Sequence, residues 1–593
     1  MFRAPMGNWH LEMRPALTVV TRSVLACSLL GLAMACSGGG SHDEGDGGGN
    51  SGGGSSSAGR GTPGGGMNAG ARGGSTVGGA GATNAAAGGG PDGGAMSGGA
   101  TGGSAPHGGA TNGGAAGIGG SGSAGRGSAE SGAPGAGGAG GNAGTSAGGA
   151  GAGNGNAGSG SAGAPPVDLP PGVTGLFPAP NATGVCSDAQ LRLTFAAPPA
   201  FGSAGTIQVL SDGGTAVASV NLANMTVSDS IGGQTFTLVR PVFVDGNTAV
   251  VYLPQKALAY GKTYTVRIPA GAIVPSGGGS FSISGDAWRF TTAAAAPSDL
   301  GNLGVALDGS APFCSVQGAL DALPSNNSTK TTVTVSAGHY YEVVYFKSKH
   351  NITLHGASRS GTVILGTNNN AMNSGTKIRA LVGADGSHDL VFENLTIKNL
   401  TPQGGSQAEA LRLETCTHCT IRDADILSLQ DTLLWSGTLY AKNCTIAGNV
   451  DFVWGTGAAY FDSCEIKTVG RSGYVVQARN ATDGYGYVFV DSKITSDSGI
   501  TGSALGRVDV SVYPGSHVAY VNCALGTHIS EAGWVVTGGS PSSALRFWEY
   551  KSTDLAGKPL DVSKRLSGST QISDAQAATM RDASAVLGGW QPE

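Results

Sequence analysis

Five short runs between residues 191 and 292 are rich in β-branched and aromatic residues, most with apolar and polar positions in near-alternation. They are LRLTF (191–195), TIQVL (206–210), AVVYL (249–253), TYTVRI (263–268) and WRFTT (288–292). Gly, Pro and Asp clusters separate them and no helical period intervenes, so the spacing predicts a β-sandwich. Past residue 300 the pattern changes. A polar residue followed three positions later by Ile or Leu recurs as Asn351–Leu354, Asn394–Ile397, Asp423–Ile426, Asn443–Ile446, Ser463–Ile466, Asp491–Ile494 and Asn522–Leu525. From Asn394 onward the polar members stand 29, 20, 20, 28 and 31 residues apart. Repeats of this length, each with short strands and no long helix, predict a solenoid. A right-handed parallel β-helix fits best, one repeat per coil, with longer spacings marking coils that extrude loops. The segment Val316–Leu323 is expected to form a helix capping its start.

Upstream of the strands there is no periodicity at all. A large share of the 106 glycines lies in a Gly/Ala/Ser/Asn tract without the every-third-Gly repeat of collagen. Such a tract reads as a flexible tether, and GxGxxG-like strings inside it mean nothing without flanking elements. Ahead of it, Arg3, Arg14 and Arg22 precede the apolar run VLACSLLGLAMA, which ends at Cys36. The run is too short to span a bilayer and has the layout of a secretory signal. The AMAC string resembles a lipobox with its usual Leu one place early, which makes Cys36 a candidate lipid anchor; an ordinary cleaved signal is the alternative. The resulting organisation is a signal over 1–35, a disordered tether over 36–165, a β-sandwich over 166–294 and a β-helix over 298–593, an all-β chain. The expected location is outside the cell, either secreted or held at the outer membrane or cell surface by that lipid.

Composition narrows the partners. The net charge of −5 comes without a basic tract, so neither nucleic acid nor an anionic membrane surface is expected, and any membrane contact would run through the lipid. The nine cysteines read as too few and too scattered to staple the chain. Cys416-Thr-His-Cys419 looks like half a zinc site, but no second pair follows it. Small side chains packed within a sheet are the favoured reading.

The candidate chemistry sits in the coils. NVDFVWG (449–455) places Asp451 among apolar neighbours, where a lone charge is expensive unless paired. Asp431 lies 20 residues earlier, the same interval as Asn443 to Ser463, so one coil's advance makes the two carboxylates neighbours about 4.8 Å apart. Gln430 accompanies Asp431, and Gln407 lies 23 residues before Gln430, one coil earlier again. Of two adjacent carboxyls, one tends to keep its proton while the other stays ionised. Arg507 is the candidate counter-ion. A nucleophilic carboxylate, a protonated acid and amide donors for an oxyanion form a set suited to attack on a carbonyl.

These residues carry a resemblance. The region from about 303 to 593 resembles the pectin methylesterases through GHYYE (338–342), QAEAL (407–411), LQDTLL (429–434), VDFVWG (450–455), ALGR (504–507), EAGW (531–534) and FWEYKST (547–553), in the family's order. The stretch 166–294 is similar to bacterial Ig-like domains through FPAPNAT, LRLTFAAPP, LAYGKTYTVRIPAGAI and WRFTT, and it reads as a spacer or weak binding module, joined onward by the short Ala293–Pro297 link. The resemblance implies a parallel β-helix esterase, monomeric and cofactor-free, acting on pectin. It implies Asp451 as nucleophile on the C6 carbonyl of methyl galacturonate and Asp431 as proton donor to methanol. Asp431 would then activate the water that resolves the acyl-enzyme, with Gln407 and Gln430 at the oxyanion and Arg507 holding the nucleophile. Gln407 and Arg507 are also expected to contact substrate. Phe452 and Trp454 would wall the sugar, with core packing the alternative for each. Glu342 and Tyr340 are expected to be structural, and Trp534 and Trp548 core. One departure matters: the family continues its Arg with Pro-Trp, whereas Val508 and Asp509 follow Arg507, so the ester itself stays open. A pectate lyase, a polygalacturonase or a non-catalytic adhesin on a β-helix are rival readings that suit the Gln-Asp and Asp pattern less well.

Overall fold

The computed structural model describes residues 169–592 except Met225 and Arg240; the signal, Cys36 and the tether lie outside them. From residue 302 the chain winds into coils whose strands form one seventeen-stranded and one nine-stranded sheet, every pairing in both parallel. The coil running through Leu433–Lys442, Thr445–Gly448 and Val450–Gly455 feeds both sheets.

The polar-x-x-Ile repeat has a physical cause. Asn394, Asp423, Asn443, Ser463, Asp491 and Asn522 all have φ between 50° and 54°, the left-handed region that Asn and Asp tolerate better than other side chains. Each turns a corner between sheets and donates its N–H to the next coil, as Asn443 does to the Asp462 carbonyl at 3.0 Å. The following residue then faces inward, which is why Cys444, Cys464 and Cys523 are buried and unpaired. Three positions on, Ile397, Ile426, Ile446, Ile466, Ile494 and Leu525 stack in register through the interior. All are at most 2 % exposed, and burying each contributes about 2 kcal/mol. Asn351–Leu354 does not belong to this column: Leu354 pairs with Phe392 in the other sheet, and Ile364 is the true predecessor of Ile397. The motif matched there because Asn351, with φ 54°, turns a different corner.

The helix expected at the start is present over Val316–Ala322, capped by Ser315. Two carboxylates, buried Glu342 and half-buried Asp188, close its N-terminus. Glu342 accepts from the Val316 and Gln317 N–H groups at 2.8 and 3.0 Å, and burial pushes it up to about 7. Asp188 accepts from the Ser315 N–H at 2.8 Å and from its hydroxyl at 2.7 Å. Glu342 is thus structural, as is Tyr340, whose hydroxyl donates to the Ser336 carbonyl. Trp534 is core at 2 % exposure, whereas Trp548 is only half-buried, beside the C-terminal helices Asp574–Met580 and Ala583–Val586.

Asp188 belongs to the N-terminal sandwich, whose two four-stranded antiparallel sheets enclose their own core around Trp288 and Phe290. This segment is fastened to the β-helix. A disulfide joins Cys186 to Cys314. The hairpin Thr226–Ile231 and Gln234–Val239 inserts Ile231 and Phe236, both fully buried, into the β-helix core. Phe236 meets Tyr345 edge-on at 5.8 Å, and the Thr237 N–H donates to Asn373 Oδ1 at 2.7 Å. The cysteine reading is corrected: Cys416 and Cys419 are buried in the sheet as expected, but they are bonded to each other.

Candidate active site

The 20-residue interval is realised. Gln430 bridges Val450, Leu433 pairs with Val453, and the Asp431 N–H donates to the Val450 carbonyl at 3.0 Å. Asp431 and Asp451 therefore occupy equivalent positions on adjacent coils, and both have left-handed backbones, at φ 62° and 52°. They are 6 % and 4 % exposed, so each needs a partner.

Asp451 has the predicted one. Arg507, on the strand Ala504–Asp509, donates from Nε to Oδ1 at 2.6 Å and from its second nitrogen to Oδ2, a bidentate fork. The Arg507 guanidinium also lies 5.1 Å from the Tyr474 ring. Asp431 has a partner that sequence reasoning missed. Arg379 donates to its Oδ2 at 2.9 Å and, with more numerous contacts, to Glu409: Nε at 2.9 and 3.0 Å to the two oxygens and a terminal nitrogen at 2.5 Å. Glu409 has no exposed surface and Arg379 only 7 %. Burial first, then the Glu409 and Asp451 charges, push Asp431 up to about 8 against the pull of Arg379 and Arg479. This setting favours the protonated form of Asp431. Glu409 stood inside QAEAL as a charge between two alanines, which was the available signal; Arg379, on a loop outside the repeat, gave none.

The amides are at hand. Gln430 is half-buried, and its side chain makes no hydrogen bond among the described residues. The next N–H after Gln407, that of Ala408, donates to the Gln430 carbonyl at 3.2 Å, which sets the two glutamines on neighbouring coils. Gln407 Oε1 accepts from the Ser406 hydroxyl at 3.1 Å, leaving its NH2 to donate elsewhere.

The two aromatics part company. Phe452 is fully buried in the β-helix core, so it packs and cannot wall a sugar, a correction of its candidate role. Trp454 keeps 5 % exposure. The Arg479 guanidinium lies 4.7 Å from its ring and Arg379 5.6 Å, while its indole N–H has no partner. Register places Trp454, Gln477 and Arg507 in one file across three strands, which adds half-buried Gln477 to the candidates. After Arg507, Val508 turns inward at 2 % exposure, and exposed Asp509 heads a turn by accepting from the Ser511 N–H and hydroxyl.

Comparison with known proteins follows these two segments. Residues 302–588 match the pectinesterase family model, and residues 167–292 match that of a bacterial Ig-like domain. Pectinesterase 31 of Arabidopsis thaliana is 32% identical over 261 residues, 42% of this chain and 81% of that protein. Pectinesterase 2 of Olea europaea is 30% identical over 281 residues, 46% of this chain and 74% of that protein. Among solved structures, the pectin methylesterase from carrot is 26% identical with a TM-score of 0.44, covering 49% of this chain and 95% of that one.

Proposed function

The chain belongs to the pectinesterase family of carboxylic ester hydrolases, and on that premise we propose that it hydrolyses methyl galacturonate esters of pectin through Asp451 and Asp431. One observation carries the assignment of roles: two neighbouring buried carboxyls differ in environment, one an ion pair with Arg507, the other holding its proton beside Arg379 and Glu409. Asp451 attacks the C6 carbonyl, and the amides of Gln407 and Gln430 donate to the oxyanion of the tetrahedral intermediate. As the intermediate collapses, the bond to the methoxy oxygen breaks and the Asp431 proton moves to it, releasing methanol and leaving an acyl-enzyme anhydride. Asp431, now a carboxylate, takes a proton from water as that water attacks the anhydride. The second collapse expels the Asp451 carboxylate and frees the galacturonic acid. Trp454, flanked by Arg379 and Arg479, and half-buried Tyr474, beside Arg507, are the aromatic side chains at hand for the sugar.

The site supports a second reading in one respect. Val508 is buried and Asp509 is spent on a turn, so no aromatic platform follows Arg507, and the same chemistry could serve a different esterified carbohydrate. The test is methanol release from methylated pectin, set beside other esterified sugars and small esters. Asp451→Ala is expected to abolish release while the fold persists; wild-type turnover in that variant would sink the mechanism, and activity on the other esters alone would move the substrate.

The enzyme is proposed to work outside the cell, exported by the signal over 1–35 and held by a lipid on Cys36 through the tether. Two disulfides support an oxidising compartment.

A further inference from the structure

Glu409 and Arg379 raise a question the ester chemistry leaves unanswered. Replacing a buried ion pair by apolar side chains is often neutral or stabilising, so stability alone does not explain why the pair lies in the β-helix wall. Its surroundings hold it rigidly. Asn368 donates from Nδ2 to the carbonyls on both sides of Arg379, Ile378 at 2.9 Å and Ala380 at 2.7 Å. The Glu409 carbonyl accepts from the Leu381 N–H at 2.9 Å and from Asn399 Nδ2 at 3.0 Å.

We propose that Arg379 and Glu409 are positioning residues that keep the catalytic proton on Asp431 and fix which oxygen carries it, an inference resting on the assignment of Asp431 as general acid. One guanidinium serves two carboxyls here, so the trio retains one proton. Burial pushes Glu409 up as well, but it accepts three of the four hydrogen bonds from Arg379, including the shortest at 2.5 Å, and also feels Arg412, so it takes the charge and leaves the proton to Asp431. Arg379 occupies Oδ2, and Oδ1 has no hydrogen-bond partner among the described residues, so the proton rides on the free Oδ1. Without Glu409, Arg379 would be an uncompensated cation against Asp431 and would strip its proton near neutrality. When the proton leaves with methanol, the new Asp431 carboxylate already touches Arg379, ready to accept a proton from water. The other charged groups facing Asp431 are Asp451 on the next coil, paired with Arg507, and Arg479 beyond Trp454.

The experiment is the pH profile of kcat/KM for methanol release, which a merely structural pair would not move. Glu409→Gln is expected to shift the alkaline limb down by about one to three pH units, because it exposes Asp431 to an unbalanced Arg379. Arg379→Met is expected to shift it up, and the pair replacement R379M/E409L to return it to between the two with lowered kcat. Should Glu409→Gln not fold, the upward shift of Arg379→Met against the pair replacement carries the test. Limbs that stay with the wild type in these variants, whatever happens to kcat, overturn the proposal. Asp431→Asn separates the premises: if it keeps wild-type turnover, the assignment of Asp431 fails, whereas its inactivity with unmoved limbs elsewhere sinks only the role of the pair.

Discussion

Replacing Asp431 by Asn should make the protein inactive and more stable, with a gain that depends on pH. In the unfolded chain Asp431 ionises near 3.8, while in the fold burial and the Glu409 charge push it up to about 8. Between these values the unfolded state releases a proton that the native state keeps, so stability falls as pH rises. Each pH unit of this window costs about 1.4 kcal/mol, so the cost reaches about 5 kcal/mol at pH 8 and levels off at about 6 above it. Asn has no such cost. It does lose part of the contact with Arg379, a hydrogen bond to a charged group worth about 1.5–3 kcal/mol. The expected net gain for Asp431→Asn is therefore about 2–4 kcal/mol at pH 8, shrinking to nothing or reversing by pH 4. Urea denaturation of both proteins across pH 4–9 measures it, with methanol release assayed in parallel. Unfolding free energies that run parallel over the whole range would refute the reasoning, because they would mean that Asp431 titrates alike in both states.

Three further outcomes follow from the same geometry. Arg507→Lys keeps the charge but not the fork, so kcat/KM should fall about ten- to a hundredfold, the worth of one charge-assisted hydrogen bond; full activity would show that the fork is unnecessary. Phe452→Ala should lower stability by about 3–5 kcal/mol in urea titration with little change in KM, while Trp454→Phe should raise KM and leave stability nearly intact; the reverse pattern would return Phe452 to the substrate. Phe236→Ala, in the Ig-like segment, should lower the temperature at which methanol release is lost, by destabilising the core that hairpin shares with the β-helix; separate melting of the two segments, with esterase activity following only the second, would refute the shared core.

What was legible along the chain was whatever repeats. Corners at Asn443 and Ser463 share one backbone conformation, so their 20-residue interval reported a coil's advance and brought Asp431 beside Asp451. Phe452 was misassigned because strand parity fails at that corner. With φ of 52° at Asp451 the chain turns, and Phe452 and Val453 both enter the core before Trp454 faces out. Arg379 was invisible for a different reason. It lies 52 residues from Asp431, on a loop that belongs to no repeat, and the side-chain hydrogen bonds that place it are long-range. The same holds for the hairpin 226–239, whose alternation marks a strand pair but cannot say which of two cores will receive Ile231 and Phe236, and for Cys186–Cys314, 128 residues apart.

The hydrogen-bonded charges of the site explain why two chemically identical side chains take different parts. Three carboxyls, Glu409, Asp431 and Asp451, are hydrogen-bonded to only two guanidiniums, Arg379 and Arg507, with Arg479 and Arg412 acting on them through space alone, in a region where every carboxyl is at most 6 % exposed. Water is too scarce there to stabilise an unmatched charge, so two of the three carboxyls are ionised and the third holds a proton. Arg507 gives both donors to Asp451, which fixes one anion. Arg379 gives most of its donors to Glu409, which fixes the other. The proton falls to Asp431 by exclusion, one coil from the nucleophile and with Oδ1 unengaged. A nucleophile and an acid thus arise from one residue type because the arginines are unequally shared, and any substitution that redistributes their donors should exchange activity for a displaced pH profile rather than for a lost fold.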